Sequence, residues 1–246
     1  MSENTIRVCH VTNSVGPMTG PANHAVALTK YTNTQAGILA WFQSDSFSGE
    51  EYLKTMCLNA PNTAIGIDSR TLKRAKDFLN KFDIIHAHHP HSGTFSKLIA
   101  WNLGKSIVST EGSSHQKFTR KGRIANGLTN LLADRVTCVS NTVCGTFSKW
   151  EKLLLQNCNL ETIYTGVDLE FIDGTNPSYW PGKDKIQNDS IVIGNAGRLG
   201  PPKAQDTLIR AIARVNESSD RSIELVIAGE GELRPNLEAI VQDENI

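Results

Sequence analysis

Residues 106–139, SIVSTEGSSHQKFTRKGRIANGLTNLLADRVTCV, contain two short β-rich runs separated by a stretch with helical periodicity. The runs are Ser106–Thr110 and Arg135–Val139. Between them, after Gly122, apolar side chains recur with helical spacing at Ile124, Leu128, Leu131 and Leu132. A strand, a helix and a second strand in this order are typical of parallel strands joined by a helical crossover.

The same alternation extends over most of the chain. The other predicted strands before residue 173 are Ile6–Val11, Gly37–Phe42, Thr63–Ile67, Asp83–His88 and Glu161–Tyr164. Two further helices are predicted, one on Leu72, Ala75, Phe78 and Leu79 after Ser69, and one on Val143, Phe147, Trp150 and Leu154 capped by Ser140 or Asn141. We expect an α/β fold with a parallel sheet covered by helices on both faces, and all these apolar positions in the core.

A change of composition divides the chain into two expected domains. Residues 173–190 are rich in Gly, Pro, Asn, Asp and Lys and are predicted to be a linker between residues 1–172 and residues 191–246. The second part is predicted to contain strands Ile191–Asn195 and Ile223–Ala228 and helices Lys203–Val215 and Glu232–Val241. Because two strands and two helices bury little surface, we expect an incomplete domain with exposed apolar faces and a tendency to self-associate.

Composition excludes several classes of protein. The 246 residues carry 25 Lys and Arg against 25 Asp and Glu, and 39% are hydrophobic, which argues against a nucleic-acid binder and against disorder. The five cysteines show no metal-binding or disulfide spacing, which favours a reducing compartment: Cys9, Cys57, Cys138, Cys144 and Cys158. Without a signal core or an apolar run of about 18 residues, the prediction is a cytoplasmic protein, at most peripheral at the inner face of a membrane.

The segment Gly197–Lys203 is the strongest local candidate for a binding site. It lies between a predicted strand and a predicted helix, where open α/β sheets place their ligands. Arg198 and Lys203 flank a loop that leads to a helix N-terminus, so two cations and free backbone N–H groups can converge on a diphosphate. A solvated loop with two incidental cations fits the spacing equally well.

Five segments together resemble glycosyltransferase family 4. GNAGRLGPPKAQDTLIRAIARV (194–215) and IELVIAGEGELRPNLEAI (223–240) resemble its G-R-L-x-x-x-K-G and L-V-I-x-G-x-G patterns in order and spacing. FDIIHAHHPHSG (82–93), VTCVSNTVCGTF (136–147) and IYTGVDLEFID (163–173) resemble further family segments, with Thr165 where Asn is usual. The resemblance spans nearly all of residues 5–241.

The resemblance implies a GT-B architecture of two facing Rossmann-like domains. It also implies transfer of a sugar from a nucleotide-diphospho-sugar, such as a UDP- or GDP-hexose, to the hydroxyl of a glycan or lipid-linked acceptor. The transfer retains the anomeric configuration, uses no cofactor or metal, and serves glycan, polysaccharide or glycolipid synthesis. Arg198 and Lys203 would then bind the donor diphosphate and stabilise the departing nucleotide, which makes them both donor-binding and catalytic.

Two more regions are implied to contact the acceptor or the sugar. The loop 16–22 follows the first predicted strand, and Gly20 matches the first glycine of a family Gly-Gly pair whose second position is Pro21 here. A plain turn with proline at the first helical position explains the same residues. Among the four histidines of residues 86–91, we expect His88 or His89 to lie at the lip of the cleft and His86 to be a satisfied core residue. No matching Cys or acidic ligand accompanies them, so no metal site is predicted.

Glu111 stands where the family motif V-T-x-H-G-S has a histidine that reaches the reacting sugar. The segment reads IVSTEGSSHQ, and His115 follows four residues later. A carboxylate can accept a hydrogen bond from a sugar hydroxyl but changes the charge of the site, so Glu111 is a tentative catalytic residue.

The cations Lys117, Arg120, Lys121 and Arg123 surround Phe118 and offer a contact with a phosphorylated or lipid-linked acceptor at a membrane. A solvated loop is the alternative interpretation.

Family members carry a later E-x(7)-E segment that holds the donor. Glu230 and Glu238 have this spacing, but they lie in the earlier glycine turn and the helix behind it, so we do not identify them with that segment. The absence of an identified segment keeps a second hypothesis open, a non-catalytic, truncated GT-B-like binding protein. A sugar-nucleotide epimerase is a third hypothesis, and it would need an acid–base pair that the sequence does not identify.

Overall fold

The computed structural model describes residues 5–15, 20–32, 34–42, 54–61, 67–156, 159–175, 184, 186 and 189–244. The chain forms two compact units, Met1–Asp168 and Leu169–Ile246. Much of the expected linker, 173–190, lies outside the described residues. Within the described part, no helix is long and apolar enough to cross a membrane.

The first unit is built on a parallel sheet. Its strands are β1 (Arg7–Thr12), β2 (Gln35–Ala40), β3 (Lys54–Cys57), β4 (Ile84–Ala87), β5 (Ser106–Glu111), β6 (Arg135–Cys138) and β7 (Asn159–Thr162). Its helices are α1 (Gly20–Tyr31), α2 (Ser69–Leu79), α3 (Pro90–Asn102), α4 (Arg120–Asn130), α5 (Asn141–Gly145) and α6 (Lys149–Leu154). The strands run in the order β3-β2-β1-β4-β5-β6-β7, and all paired strands are parallel. The predicted α/β class with a Rossmann-like parallel sheet is confirmed.

The sheet places alternate side chains of each strand on opposite faces. Cys9, Val11 and Ile85 point into the larger core, where Phe95, Ile99 and Ala100 of α3 pack against them. Ile38 and Ala40 of β2 point the other way and pack with Ala25 of α1 in a smaller core. Residues His10 and His86 therefore face the α1 side of the sheet.

Three predicted strands differ from the structure by more than one residue at an end. The third strand is Lys54–Cys57, which the sequence pattern did not indicate, and most of the predicted strand Thr63–Ile67 lies outside the described residues. The strands predicted at Gly37–Phe42 and Glu161–Tyr164 begin two residues earlier, at Gln35 and Asn159.

The orientation of α4 contradicts the predicted core. Its apolar residues Ile124 and Leu128 are 46% and 52% exposed, and Leu131 beyond its end is also exposed. The buried residues of this helix are instead Asn126, Gly127, Thr129 and Asn130. The periodicity correctly predicted a helix but not which of its faces is buried. The buried face is polar because it contacts the buried charged groups of Lys97 and Glu111.

The helix predicted through Val143, Phe147, Trp150 and Leu154 is two helices. Helix α5 ends at Gly145 and α6 begins at Lys149, because the Glu151 carboxylate accepts hydrogen bonds from the Ser148 N–H (2.7 Å) and Oγ–H (2.6 Å). This capping arrangement starts a new helix at Ser148. Phe147 is buried as predicted, whereas Trp150 is partly exposed.

The second unit contains a smaller layer of parallel strands and helices. Its elements are α7 (Leu169–Asp173), β8 (Ile191–Ala196), α8 (Gln205–Ser218), β9 (Ile223–Ala228) and α9 (Arg234–Asp243). Leu199, Ile209, Leu237 and Ile240 form its core. Ile191, Val192 and Val215 are exposed.

Candidate functional site

Three histidines meet on the α1 side of the first sheet. His10 on β1 is the register partner of His86 on β4, and His88 follows two residues later on the same face. The His10 Nδ1 and His88 Nε2 atoms are 2.9 Å apart, and the His86 and His88 ring centroids are 4.0 Å apart. The sequence pattern placed His86 and His88 on one face but missed His10, which lies 76 residues away from His86 along the chain.

Burial keeps these imidazoles neutral. It lowers the pKa of His10 to about 4 and that of His86 to about 3, with smaller contributions from neighbouring histidines. The pKa of His88 is lowered for the same reasons. His86 also makes a 2.7 Å hydrogen bond between Nε2 and Thr110 Oγ1, which accords with the satisfied core role expected of it.

The expected lip residues His88 and His89 have different surroundings. His88 is only 5% exposed and is hydrogen-bonded to His10, so its ring lies in the interior of the unit. His89 precedes α3 as its N-cap residue without a side-chain cap bond, and it is half-buried. His89 is thus the more accessible of the two.

Gly20 is the first residue of α1 and is exposed, with open space where a Cβ atom would lie. The preceding residues 16–19 and the side chain of Pro21 lie outside the described part, so the expected glycine-rich loop is represented by Gly20 alone.

Glu111 lies in the interior, at the end of β5, and is 1% exposed. Its Oε1 accepts hydrogen bonds from Asn126 Nδ2 and Asn130 Nδ2, each at 2.9 Å, and its Oε2 lies 3.3 Å from His115 Nε2. Glu111 is thus hydrogen-bonded within its own unit, and its catalytic role stays a prediction.

The Glu111 contacts continue into a network of buried charges. His115 Nδ1 lies 2.8 Å from Glu151 Oε1, and Arg123 donates to both oxygens of Glu151 through Nε. On the other side, the buried Lys97 Nζ donates to Asn126 Oδ1 at 3.0 Å. We call these residues, together with Asn130, the Glu111 network.

The network shifts the pKa of its members in compensating directions. Burial opposes the charged form of Glu111, but hydrogen bonds from His115 and the asparagines, and the Lys97 charge, hold its pKa below the usual value. Burial also opposes the charge of His115, but Glu111 and Glu151 outweigh it and raise its pKa. Burial disfavours the charged form of Lys97 and lowers the pKa of this side chain to about 8.

The four cationic side chains of residues 117–123 have two different environments. Lys117, Arg120 and Lys121 are exposed and form no salt bridge with any residue in the described part of the chain. Arg123 instead belongs to the Glu111 network through Glu151. Phe118 packs beside the His115 ring, with centroids 4.9 Å apart.

In the second unit, Arg198 and Lys203 lie on one glycine-rich turn. The Lys203 side chain passes over Gly197, where a Cβ atom would lie 3.3 Å from Lys203 Cε. The Arg198 guanidinium lies beside Gly200, with Nη2 3.6 Å from the corresponding position. Both cations are exposed, and neither forms a salt bridge within the described residues.

A second turn, with Gly229 and Gly231, packs against the backbone of the first. A Cβ atom at Gly229 would lie 2.0 Å from the Gly197 carbonyl oxygen, and one at Gly231 would lie 2.2 Å from that of Leu199. The Leu199 N–H donates to the Glu230 carbonyl at 3.0 Å, and Gln205 Nε2 donates to the Arg198 carbonyl at 3.2 Å. Only glycine permits this approach of the two backbones, so the two turns hold the Arg198 loop in place.

The helix after the turn begins later than predicted. Pro201–Lys203 form a short 3₁₀ turn, and α8 begins at Gln205. Ala204 precedes it with a left-handed backbone (φ 49°, ψ 38°) and provides no side-chain cap. Ala204 occupies the last position of the G-R-L-x-x-x-K-G pattern, where glycine adopts this conformation without strain. The backbone N–H groups at the start of α8 receive no cap bond from the Ala204 side chain.

The comparisons agree with this fold. The family model of Glycosyltransferase Family 4 matches residues 51–171, and that of Glycosyl transferases group 1 matches residues 179–246. No curated protein sequence matches the chain.

Three solved structures illustrate the likeness. HepE from Anabaena in complex with UDP-glucose superimposes with a TM-score of 0.75 at 17% identity, over 98% of this chain and 66% of that one. Sucrose-phosphate synthase from Thermosynechococcus elongatus gives 0.62 at 15% identity, over 98% and 68%. UDP-GlcNAc 2-epimerase from Methanocaldococcus jannaschii gives 0.55 at 11% identity, over 98% and 69%. The chain thus spans about two thirds of the length of these proteins.

The parallel sheets, the glycine-turn pair and these superpositions define a protein of the GT-B type. Within that class, the two consecutive family matches support a glycosyltransferase family 4-like protein.

The Glu111→Gln substitution should destabilise the first unit. It leaves Lys97 buried without its anionic partner and His115 paired with Glu151 alone, and breaking a buried ion pair typically costs about 3–5 kcal/mol. Chemical denaturation at pH 7 measures the loss. The matched control is Glu161→Gln, whose carboxylate is exposed in a 3.7 Å pair with Arg135 and should leave stability unchanged. A Glu111→Gln protein as stable as the parent would show that the network is not required for folding.

The raised pKa of His115 predicts a pH dependence of stability. Its contribution is fully present below its unfolded pKa of about 6.5 and is lost as the pH rises through the higher folded pKa. The free energy of unfolding of the parent protein should therefore fall above pH 6.5 more steeply than that of His115→Gln. Denaturation at pH 6.5 and at about pH 8 tests this, with His91→Gln as control, since burial lowers the pKa of His91. Parallel curves for the parent and His115→Gln would contradict the assignment.

Proposed function

We propose that this protein transfers a hexose from a nucleoside-diphosphate sugar to an acceptor hydroxyl. The observation that carries the proposal is the glycine turn with Arg198 and Lys203, whose two exposed cations lie on one loop at the start of a helix. Such a loop is suited to a diphosphate, because cations and backbone N–H groups both attract its negative charge. The UDP-glucose complex of HepE and the family matches support the same donor class.

The chemistry assigned to these residues is electrostatic. As the bond between the sugar and the diphosphate breaks, negative charge develops on the leaving nucleotide. Arg198 and Lys203 would stabilise this charge without accepting or donating a proton. Gly20 and His89, the more accessible of the two candidate histidines, are proposed to contact the acceptor or the sugar. Retention of configuration follows the family resemblance and is part of the proposal.

The epimerase hypothesis has weaker support. The superposition on the 2-epimerase, at 11% identity, reflects the fold. This hypothesis also requires an acid–base pair, which the sequence does not identify. The non-catalytic binding protein remains the alternative that the next experiment distinguishes.

Alanine at Arg198 or at Lys203 should weaken the binding of UDP by about tenfold or more each, since a charge-assisted contact contributes about 1.5–3 kcal/mol. Isothermal titration with UDP measures the loss. Arg214→Ala, which removes an exposed cation elsewhere on α8, is the control and should bind as the parent does. A nucleotide-release assay with UDP- and GDP-sugars completes the test. Binding without release would favour the non-catalytic protein, and unchanged binding in both variants would exclude a donor role for the loop.

We further propose that the exposed face of α3, α4 and α6 contacts an anionic lipid surface. Trp101 of α3, Ile124 and Leu128 of α4, and Leu153 of α6 are each exposed, at 63%, 46%, 52% and 62%. Helices α3 and α4 contain no acidic residue, and the acidic residue of α6, Glu151, is buried in the Glu111 network. Apolar side chains can contact the acyl chains of such a surface, and neighbouring cations can bind its anionic headgroups. A lipid-linked acceptor would be reached from such a surface.

The lipid contact is tested by co-sedimentation with vesicles of phosphatidylcholine with and without phosphatidylserine. The protein should sediment with the anionic vesicles, and the double substitution Ile124→Asn and Leu128→Asn should reduce the bound fraction about tenfold through lost apolar burial. Leu72→Asn, an exposed leucine on α2, is the matched control. Equal binding to both vesicle types, or dimerisation that buries this face without vesicles, would overturn the proposal.

A further inference from the structure

The three histidines on the α1 side of the sheet form a compact set of nitrogen donors. The candidate ligand atoms of His10, His86 and His88 all lie within 4.8 Å of one another. Two of the residues are held by paired strands, and the third follows directly after β4. Cys9 and Ile85 point to the opposite face, so nitrogen is the donor that this side of the two strands presents.

These distances suit a small ion. Zinc–nitrogen bonds of about 2.0–2.1 Å in a tetrahedron place two ligand nitrogens roughly 3.3 Å apart. The His10 and His88 nitrogens, now 2.9 Å apart in a hydrogen bond, need to separate by only a few tenths of an ångström. His86 completes the triangle within the same 4.8 Å.

The surroundings add two features that a bare hydrogen-bonded cluster does not require. Thr110 Oγ1 lies 2.7 Å from His86 Nε2 and 2.8 Å from Thr137 Oγ1, so the His86 ring is held in orientation from behind, as ligating histidines usually are. Thr12, beside His88 on the same sheet face, is completely buried, and its Oγ1 has no hydrogen-bond partner among the described residues. A buried hydroxyl of this kind indicates a group missing from its surroundings.

We propose that His10, His86 and His88 bind a divalent first-row transition metal of the zinc type. Neutral imidazoles suit Zn²⁺, Co²⁺, Ni²⁺ and Cu²⁺, whereas Mg²⁺ and Ca²⁺ need oxygen ligands that this set does not offer. Water or an anion would fill the fourth position. The ring centroid of His24 on α1 lies 6.1 Å from that of His88. The proposed metal site uses neither Arg198 nor Lys203, the residues proposed to bind the donor diphosphate.

The test uses the whole protein after treatment with a chelator. Titration with Co²⁺ should give the visible absorption of a four-coordinate complex that saturates at one ion per chain, and Zn²⁺ should displace it. His88→Ala and His10→Asn should each weaken Zn²⁺ binding by about 100-fold or more, and Thr110→Val, which frees the His86 ring, by about tenfold. Thermal unfolding of each variant without metal confirms that it is folded.

His91→Ala is the matched control, because His91 packs on Phe42 and Phe95 away from the cluster, and it should bind Zn²⁺ as the parent does. Absence of a saturable Co²⁺ spectrum would overturn the proposal, as would Zn²⁺ binding that survives both His88→Ala and His10→Asn in folded protein. UDP titrations of the same samples separate the two proposals, since loss of the metal leaves the Arg198 loop unchanged.

Discussion

The first unit depends on satisfying a carboxylate in its interior. Glu111 ends a central strand with 1% of its surface exposed, and an unpaired charge in such a place would cost more than the unit could offset. Two asparagines, a histidine and a lysine surround it, and Glu151 and Arg123 extend the compensation to the surface. These partners come from α3, α4, α6 and the turn after β5, so one carboxylate sets how four segments pack.

This requirement explains the unusual orientation of α4. To bring Asn126 and Asn130 to Glu111, the helix turns its polar face inward and leaves Ile124 and Leu128 in contact with solvent. The apolar residues removed from the core then lie beside exposed cations, next to helices without exposed carboxylates. The need to pair the buried Glu111 carboxylate thus leaves Ile124 and Leu128 exposed, and the proposed lipid contact depends on these two side chains.

The two candidate binding regions follow one rule of parallel sheets. In each unit, the chemically distinctive residues lie in the carboxyl-terminal halves of strands or just after them. In the first unit these are the histidines of β1 and β4. In the second unit they are Arg198 and Lys203 on a turn that a glycine pair after β9 supports. Neutral nitrogen donors and exposed cations suit different ligands, a metal and a diphosphate.

The strand–helix alternation, the Arg198 turn and the family resemblance could all be read from residues close together in the chain, because periodicity and turn chemistry are local properties. Even the break before α6 has a local signal, Ser148 followed by Glu151 three residues later. The sequence pattern could not predict which face of α4 is buried, because the apolar stripe of Ile124 and Leu128 fits either a core or an exposed surface. Only the tertiary position of Glu111 relative to Asn126 and Asn130 decides between the two. His10 likewise joined His86 and His88 only when β1 paired with β4, because strand pairing brings together residues that the linear chain keeps far apart.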